Sequence, residues 1–177
     1  TQVLSSRGCP YQCTFCAGRK VLGSKVRLRE PREFISELEW LRGECGIREF
    51  QIVDDNFTFH RGHAMEVCAL MAERKINMHW SLPNGVRADC LDKQLLNTMK
   101  RAGCYYLSFG IEFGSVRMLE ICKKKLDLKK SQANIKCANA LGFITQGFFM
   151  LGHPMETAAD IDLTQKFIFS TPFDKIL

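Results

Sequence analysis

The chain contains no run of 18 or more apolar residues, and its first residues supply neither a basic leader nor an apolar signal core. A membrane-spanning helix needs about 20 apolar residues and a secretory signal needs both of those parts, so membrane insertion and export have no support and a reducing, cytoplasmic setting is expected. Low-complexity tracts and internal repeats, which would point to linkers or arrays, are also missing. So is a glycine-rich turn behind the first strand-like segment, which favours a partial barrel over a dinucleotide-binding sheet. Finally, there is no initiator methionine: the chain opens at "TQVLSSRGC" inside what reads as a strand and closes at "FDKIL" as another begins. Residues 1–177 are therefore expected to be one domain, excised or truncated from a longer protein whose flanking domains are absent.

What is present suits one compact domain. Of the 177 residues, 46% are hydrophobic and 25% charged, enough for a sizeable core. Nine cysteines is an odd count, and without an export signal they are not expected to form a disulfide framework. Cys45, Cys68, Cys90, Cys104, Cys122 and Cys137 lie scattered among apolar neighbours and read as small core or surface residues. The net charge of +6 is concentrated partly in "CKKKLDLKK" at 122–130. A solvated helix end and loop is the preferred reading there, a polyanion or nucleic-acid site the other.

Strand-like and helical signals alternate. Strands are expected at 2–6, 49–54, 78–82, 105–112 and 143–151, with a sixth beginning at "KIL". Between them lie helical patterns: one opened by Pro31 with Phe34, Ile35, Leu38 and Leu41 at helical spacing, one at 61–75, and one marked by Leu95, Leu96 and Met99. Others run from a Ser115 cap to 122, over 131–141, and from a Thr157 cap to about 169. Strict alternation of this kind implies a parallel sheet with helical crossovers. The fold class is therefore α/β, a partial (β/α)6 TIM-like barrel truncated at the start of its sixth strand. Ligands bind such folds at the tips just after each strand, here "RGCPYQCTFC", "DDNFTFH", "PNGVRAD", "EFGS" and "GHPMET".

The first tip carries Cys9, Cys13 and Cys16. Three thiolates in one loop suit a metal or an iron–sulfur cluster. Structural zinc is normally closed by four ligands and would have to recruit a residue such as His60 or His63. A four-iron cluster is usually held by four cysteines, so three would leave one iron open to a substrate. Unligated thiols are the remaining alternative. On the other tips, Asp54 and Asp55 are placed either to accept a hydrogen bond from a ligand ammonium or to cap the following loop. Arg87 is either an anion contact or an ion-pair partner of Asp89, and His60 and His153 read as hydrogen-bonded structural residues.

The pattern Cys-x3-Cys-x2-Cys, with the aromatic Phe15 before the last cysteine and the first strand just ahead, resembles the signature of the radical S-adenosylmethionine (radical SAM) superfamily. The resemblance implies a 4Fe-4S cluster on Cys9, Cys13 and Cys16, with the amino and carboxylate groups of S-adenosylmethionine on the free iron. It also implies reductive cleavage to methionine and a 5′-deoxyadenosyl radical that abstracts hydrogen from a substrate, fed by an electron donor such as flavodoxin or ferredoxin. "VDDN" stands where the family often has a "GGE"-like segment. "SFGIEFGS" is similar to the family's strand-four motif, which assigns Glu112 to the cofactor's ribose or amino group, with a purely structural carboxylate as the alternative. Lys124 matches a basic residue for the methionine carboxylate, or is one more solvated lysine. "TQGFFMLGHPMET" is similar to the strand-five pattern through Gly147, Gly152 and Glu156, where a glycine lets adenine lie against backbone. Met155 departs from that pattern.

"DDNFT", "RAD" and "GIEFGS" together resemble the cobalamin-associated group, whose members methylate unactivated carbons or close rings. That implies cobalamin in a domain outside this chain. The alternatives are an RNA-modifying, methylthiotransferase-like enzyme and, from another class, a non-catalytic metal-binding module that engages nucleic acid.

Overall fold

The computed structural model describes every residue from Thr1 to Leu177. Its strands are β1 (Gln2–Val3), β2 (Ser6–Arg7), β3 (Arg27–Leu28), β4 (Glu49–Ile52), β5 (His79–Val86), β6 (Cys104–Glu112), β7 (Ile144–Phe149) and β8 (Lys175–Ile176). Its helices are α1 (Gly18–Leu22), α2 (Pro31–Gly43), α3 (Arg61–Glu73), α4 (Lys93–Arg101), α5 (Val116–Ile121), α6 (Leu128–Ala140) and α7 (Ala158–Ser170). Six strands form one sheet in the order β1-β4-β5-β6-β7-β8, every pair parallel. Each new strand thus adds beside the last, the wall of a partial TIM-like barrel, and all the loops leaving the strands' C-terminal ends collect on one rim.

The helices form where caps and apolar spacing agree. Pro31 opens α2, whose Phe34, Ile35 and Leu38 are buried, and each such side chain contributes about 1.5–3 kcal/mol. Asp92 caps α4 by accepting from Leu95 N–H at 2.8 Å. Ser115 caps α5, and Thr157 with Asp160 forms a reciprocal capping box on α7. Trp80 anchors the core: fully buried, it stacks on Phe50 with ring centroids 6.2 Å apart and donates its indole N–H to Ala102 O at 2.9 Å. Gly103, at φ +94°, turns α4 into β6 so tightly that a Cβ would lie 2.4 Å from Met78 O.

Several boundaries differ from the sequence reading, the largest among the strands being β5, which runs on to Val86 where 78–82 was expected. The first strand is not continuous over 2–6: Ser5 gives both its N–H (2.8 Å) and its hydroxyl (2.6 Å) to the Asp54 carboxylate. Ser6 then pairs with Leu28 in the antiparallel β2–β3 ribbon. α6 begins at Leu128, three residues before the expected 131, because Asp127 accepts from Lys130 N–H at 2.9 Å. The cysteine loop also runs into the short helix α1, which lacks the apolar periodicity that would announce it.

Candidate cofactor site

The cysteine loop lies across the rim, tied down at several points. Gly8 N–H donates to Asp55 Oδ2 at 2.8 Å, Cys9 N–H to Gly23 O at 3.3 Å and Thr14 N–H to Cys122 O at 3.0 Å. Within the loop, Cys16 N–H reaches Cys13 O at 3.2 Å, and Gly18 N–H reaches Cys16 Sγ at 3.3 Å. Cys9, Cys13 and Cys16 thereby line one cleft together with Phe15, Asp55 and Asn56. The facing wall comes from β5 and its tip (Asn84, Gly85, Val86, Arg87), from Gly110 and Glu112 of β6, and from Lys124 and Phe148.

Glu112 and Lys124 form an ion pair on that wall, with Nζ to Oε1 at 2.9 Å and side chains 14% and 9% exposed. The Lys124 ammonium also sits 5.6 Å over the Phe15 ring. A Cβ on Gly110 would come within 3.0 Å of Glu112 Oε1 and 3.1 Å of Lys124 Nζ, so the bare glycine gives the pair its resting place on the strand. Glu112 itself stands at φ +68°, where the β6–β7 register shifts. L residues rarely take that conformation, and here it sends the last side chain of β6 into the cleft.

Electrostatically the thiols differ. Burial pushes the Cys9 thiol up, with further elevation from Asp55 and the other two thiols. Burial also pushes Cys13 up, but Lys124 and Arg87 oppose it. The cations in the cleft therefore favour negative charge at Cys13.

Other expected site residues are placed as follows. Asp55 faces the cleft, but Asp54 does not: 3% exposed, its carboxylate is taken up by Ser5 N–H, Ser5 Oγ and Ser6 Oγ. The expectation that both acids could serve a ligand is thus corrected, because those donors occupy Asp54. Gly147 is corrected as well. A Cβ there would meet the Phe149 and Phe173 rings at 2.7 and 3.0 Å, on the side of β7 away from the cleft-lining Phe148, so Gly147 makes room for aromatic packing. Gly152, at φ +83°, donates its N–H to Glu156 Oε2 at 2.6 Å, closing the turn after β7. Neither lines the cleft, and Glu156 Oε1 is buried without a partner. In the basic segment Lys124 points inward while Lys123, Lys125, Lys129 and Lys130 are exposed. His153 accepts from Met155 N–H at 3.2 Å, a structural role. Asn84, Gly85, Gly110 and Phe148 also line the cleft; they lie within the quoted tip and motif stretches, but the sequence reading singled out none of them, because strand alternation decides which residues of a stretch face the cleft.

The donor set fits a cluster better than a single ion. No three His, Cys, Asp or Glu side chains converge where one metal ion would sit, whereas in a four-iron cluster each thiolate holds a different iron. The residues a zinc site would have recruited are engaged elsewhere: His60 caps α3, and the His63 ring meets Arg29 O at 3.0 Å. Three thiols, a cation–carboxylate pair and the three aromatic rings of Tyr11, Phe15 and Phe148 on one cleft suit a cluster beside an amino-acid-bearing ligand.

A parallel partial barrel with three cysteines behind its first strand fits the core of a radical enzyme. Residues 3–168 match the Radical SAM superfamily, and the chain belongs to it. Members of that superfamily bind a 4Fe-4S cluster and S-adenosylmethionine. Among curated relatives, cytidylyl-2-hydroxyethylphosphonate methyltransferase of Streptomyces wedmorensis is 39% identical over 154 residues, 86% of this chain and 28% of that protein. The anaerobic magnesium-protoporphyrin IX monomethyl ester cyclase of Rubrivivax gelatinosus is 27% identical over 161 residues, 91% of this chain and 29% of that protein. Among solved structures, the radical S-adenosylmethionine methyltransferase TsrM of Kitasatospora setae, with tryptophan and a SAM analogue bound, superposes with a TM-score of 0.90 at 17% identity. That match covers 99% of this chain and 34% of TsrM. The chain thus spans about a third or less of the length of these relatives. No helix is long and apolar enough to cross a membrane.

Proposed function

We propose that this chain is the catalytic core of a cobalamin-associated radical SAM enzyme that methylates an unactivated carbon or closes a ring. The observation that carries this reading is the single cleft on the strand tips that three thiols share with the Glu112–Lys124 pair. Support for the reaction class comes from a methyltransferase and a cyclase among its relatives. Their greater length supports residues 1–177 acting beside further domains, and the structure of TsrM with cobalamin and a 4Fe-4S cluster bound supports a cobalamin-holding domain among them.

Cys9, Cys13 and Cys16 would hold the cluster, and Lys124, Glu112, Phe15 and Asp55 would line the place of S-adenosylmethionine. When bound, the pair supplies one-electron cleavage of a carbon–sulfur bond and a primary carbon radical able to remove hydrogen from a substrate. This chain's residues bind and contain. Lys124 Nζ neutralises a carboxylate, while Glu112, which accepts only from Lys124, keeps lone pairs free for an ammonium or a ribose hydroxyl. Phe15 and Phe148 keep water from the cleft, which matters because such a radical reacts with most nearby groups. A flavodoxin- or ferredoxin-type donor in a cytoplasmic setting completes the proposal.

Anaerobic reconstitution with iron and sulfide tests it. Cluster absorption should appear, and the electron paramagnetic resonance spectrum of the reduced protein should change when S-adenosylmethionine is added. Binding of about one zinc per chain, with no response to S-adenosylmethionine, would instead support a metal-binding module.

A further inference from the structure

Arg87 was read from sequence as an anion contact or a partner of Asp89. Four of the five N–H donors of its guanidinium are already committed within the protein. Nε and one terminal nitrogen clasp the Asp89 carboxylate at 3.1 and 2.9 Å. The terminal nitrogens also reach backbone carbonyls of another segment, Lys124 O at 2.5 Å and Lys125 O at 2.8 Å. Its face lies 4.2 Å over the Tyr11 ring, midway between Cys9 and Cys13. One buried side chain on the third tip thus touches both the cysteine loop and the segment that carries Lys124.

That segment needs holding. Lys123 and Lys125 stand at φ +54° and +49°, and with Glu112 they are three of the five non-glycine residues of positive φ in the chain. Left-handed backbone at a lysine is strained and persists only where its surroundings over-determine it. Here the strain has a visible result: two successive reversals turn Lys124 into the cleft and leave its two lysine neighbours in solvent. The carbonyls that Arg87 grips lie inside this stretch.

We propose that Arg87 is a positioning residue for the cofactor site, keeping Lys124 aimed at Glu112 and setting the cysteine loop at a fixed distance from that pair. It acts through Lys124 and Tyr11. Lysine could not replace it, since an ammonium has neither the planar fork for two carbonyls and a carboxylate nor the flat face for the Tyr11 ring.

The proposal rests on the cofactor reading above, and two measurements separate the two. In the apo protein, hydrogen exchange at 9–16 and 122–126 should quicken together in Arg87→Lys and Arg87→Met while β6 and β7 stay protected. Unchanged exchange in both segments overturns the proposal whatever the chain binds. In reconstituted protein, calorimetry with S-adenosylmethionine should show roughly tenfold weaker binding in either variant, about 1.4 kcal/mol, at parental iron content. In a Lys124→Met background, adding Arg87→Met should weaken binding less than about twofold, because coupled residues are not additive. A merely structural arginine would lower the unfolding temperature and leave affinity alone, and parental affinity in folded Arg87→Lys overturns the proposal. If the parent takes up no cluster or ligand, the cofactor reading fails and the exchange experiment still decides for Arg87.

Discussion

Two of the acid–base pairs on the rim, Asp160 with Arg117 and Glu112 with Lys124, are not equivalent. Asp160, at the start of α7, is saturated. It accepts from Ser115 Oγ at 2.5 Å, Thr157 Oγ1 at 2.6 Å, Thr157 N–H at 3.0 Å and Arg117 Nε at 3.2 Å, and pairs with the second Arg117 nitrogen. Those partners, Arg117 first, hold its carboxyl well below the usual range. Glu112 accepts from Lys124 alone and opens onto the cleft. A carboxylate whose lone pairs are all taken fastens one helix to another, and one left half-satisfied beside a cation is set for a ligand.

The largest expected effect comes from emptying the cleft side. Cys9→Ala, Cys13→Ala or Cys16→Ala should each abolish cluster assembly, read as iron and sulfide content, while Cys68→Ala leaves assembly intact. Assembly surviving the loss of Cys13 would remove the cleft from the comparison. Next is Asp160→Asn, which breaks the capping box and the link to α5. It should lower the urea midpoint, because the α7 N-terminus loses its reciprocal cap, and leave S-adenosylmethionine affinity of the reconstituted protein unchanged. Lost affinity would mean that the saturated pair also serves the ligand.

Glu112→Gln should do the reverse, weakening S-adenosylmethionine binding by about 1–3 kcal/mol, the cost of a hydrogen bond to a charged partner. Because Gln retains an oxygen for Lys124, unfolding stability should move by less than about 1 kcal/mol. The smallest effect is in pH. The folded pKa of Asp160 lies below its ordinary 3.8, so the unfolded chain binds the proton more readily. Its stabilisation is therefore complete above about pH 4 and is lost as pH falls from there toward the folded value. Urea midpoints should converge for parent and Asp160→Asn as pH drops from 6 to 2.5. A constant gap would show that Asp160 does not titrate as described.

Much of this was legible in the sequence, for identifiable reasons. Periodicity and punctuation placed the main strands and helices, because Pro31, Ser115 and Thr157 act locally on the backbone that follows them. The three cysteines were visible because their spacing lies within one loop. Asp54 and Asp55 were indistinguishable: their difference depends on Ser5 and Ser6, almost fifty residues earlier in the chain, which only tertiary contact brings near. The surroundings of Gly147 were hidden for a related reason, since a motif fixes a position along the strand but not which face it presents. Arg87 was ambiguous because its carbonyl partners belong to backbone, which has no sequence signature.

The sheet's order has a consequence in time. Because every strand of the main sheet joins the one before it, the tips described above leave the ribosome in the order in which they stand along the rim, the cysteine loop ahead of the others. Lys124 follows Cys16 by 108 residues (124 − 16), roughly 5–20 s at ribosomal speeds of about 5–20 residues per second. For that interval the nascent chain carries three thiols without the lysine that faces them.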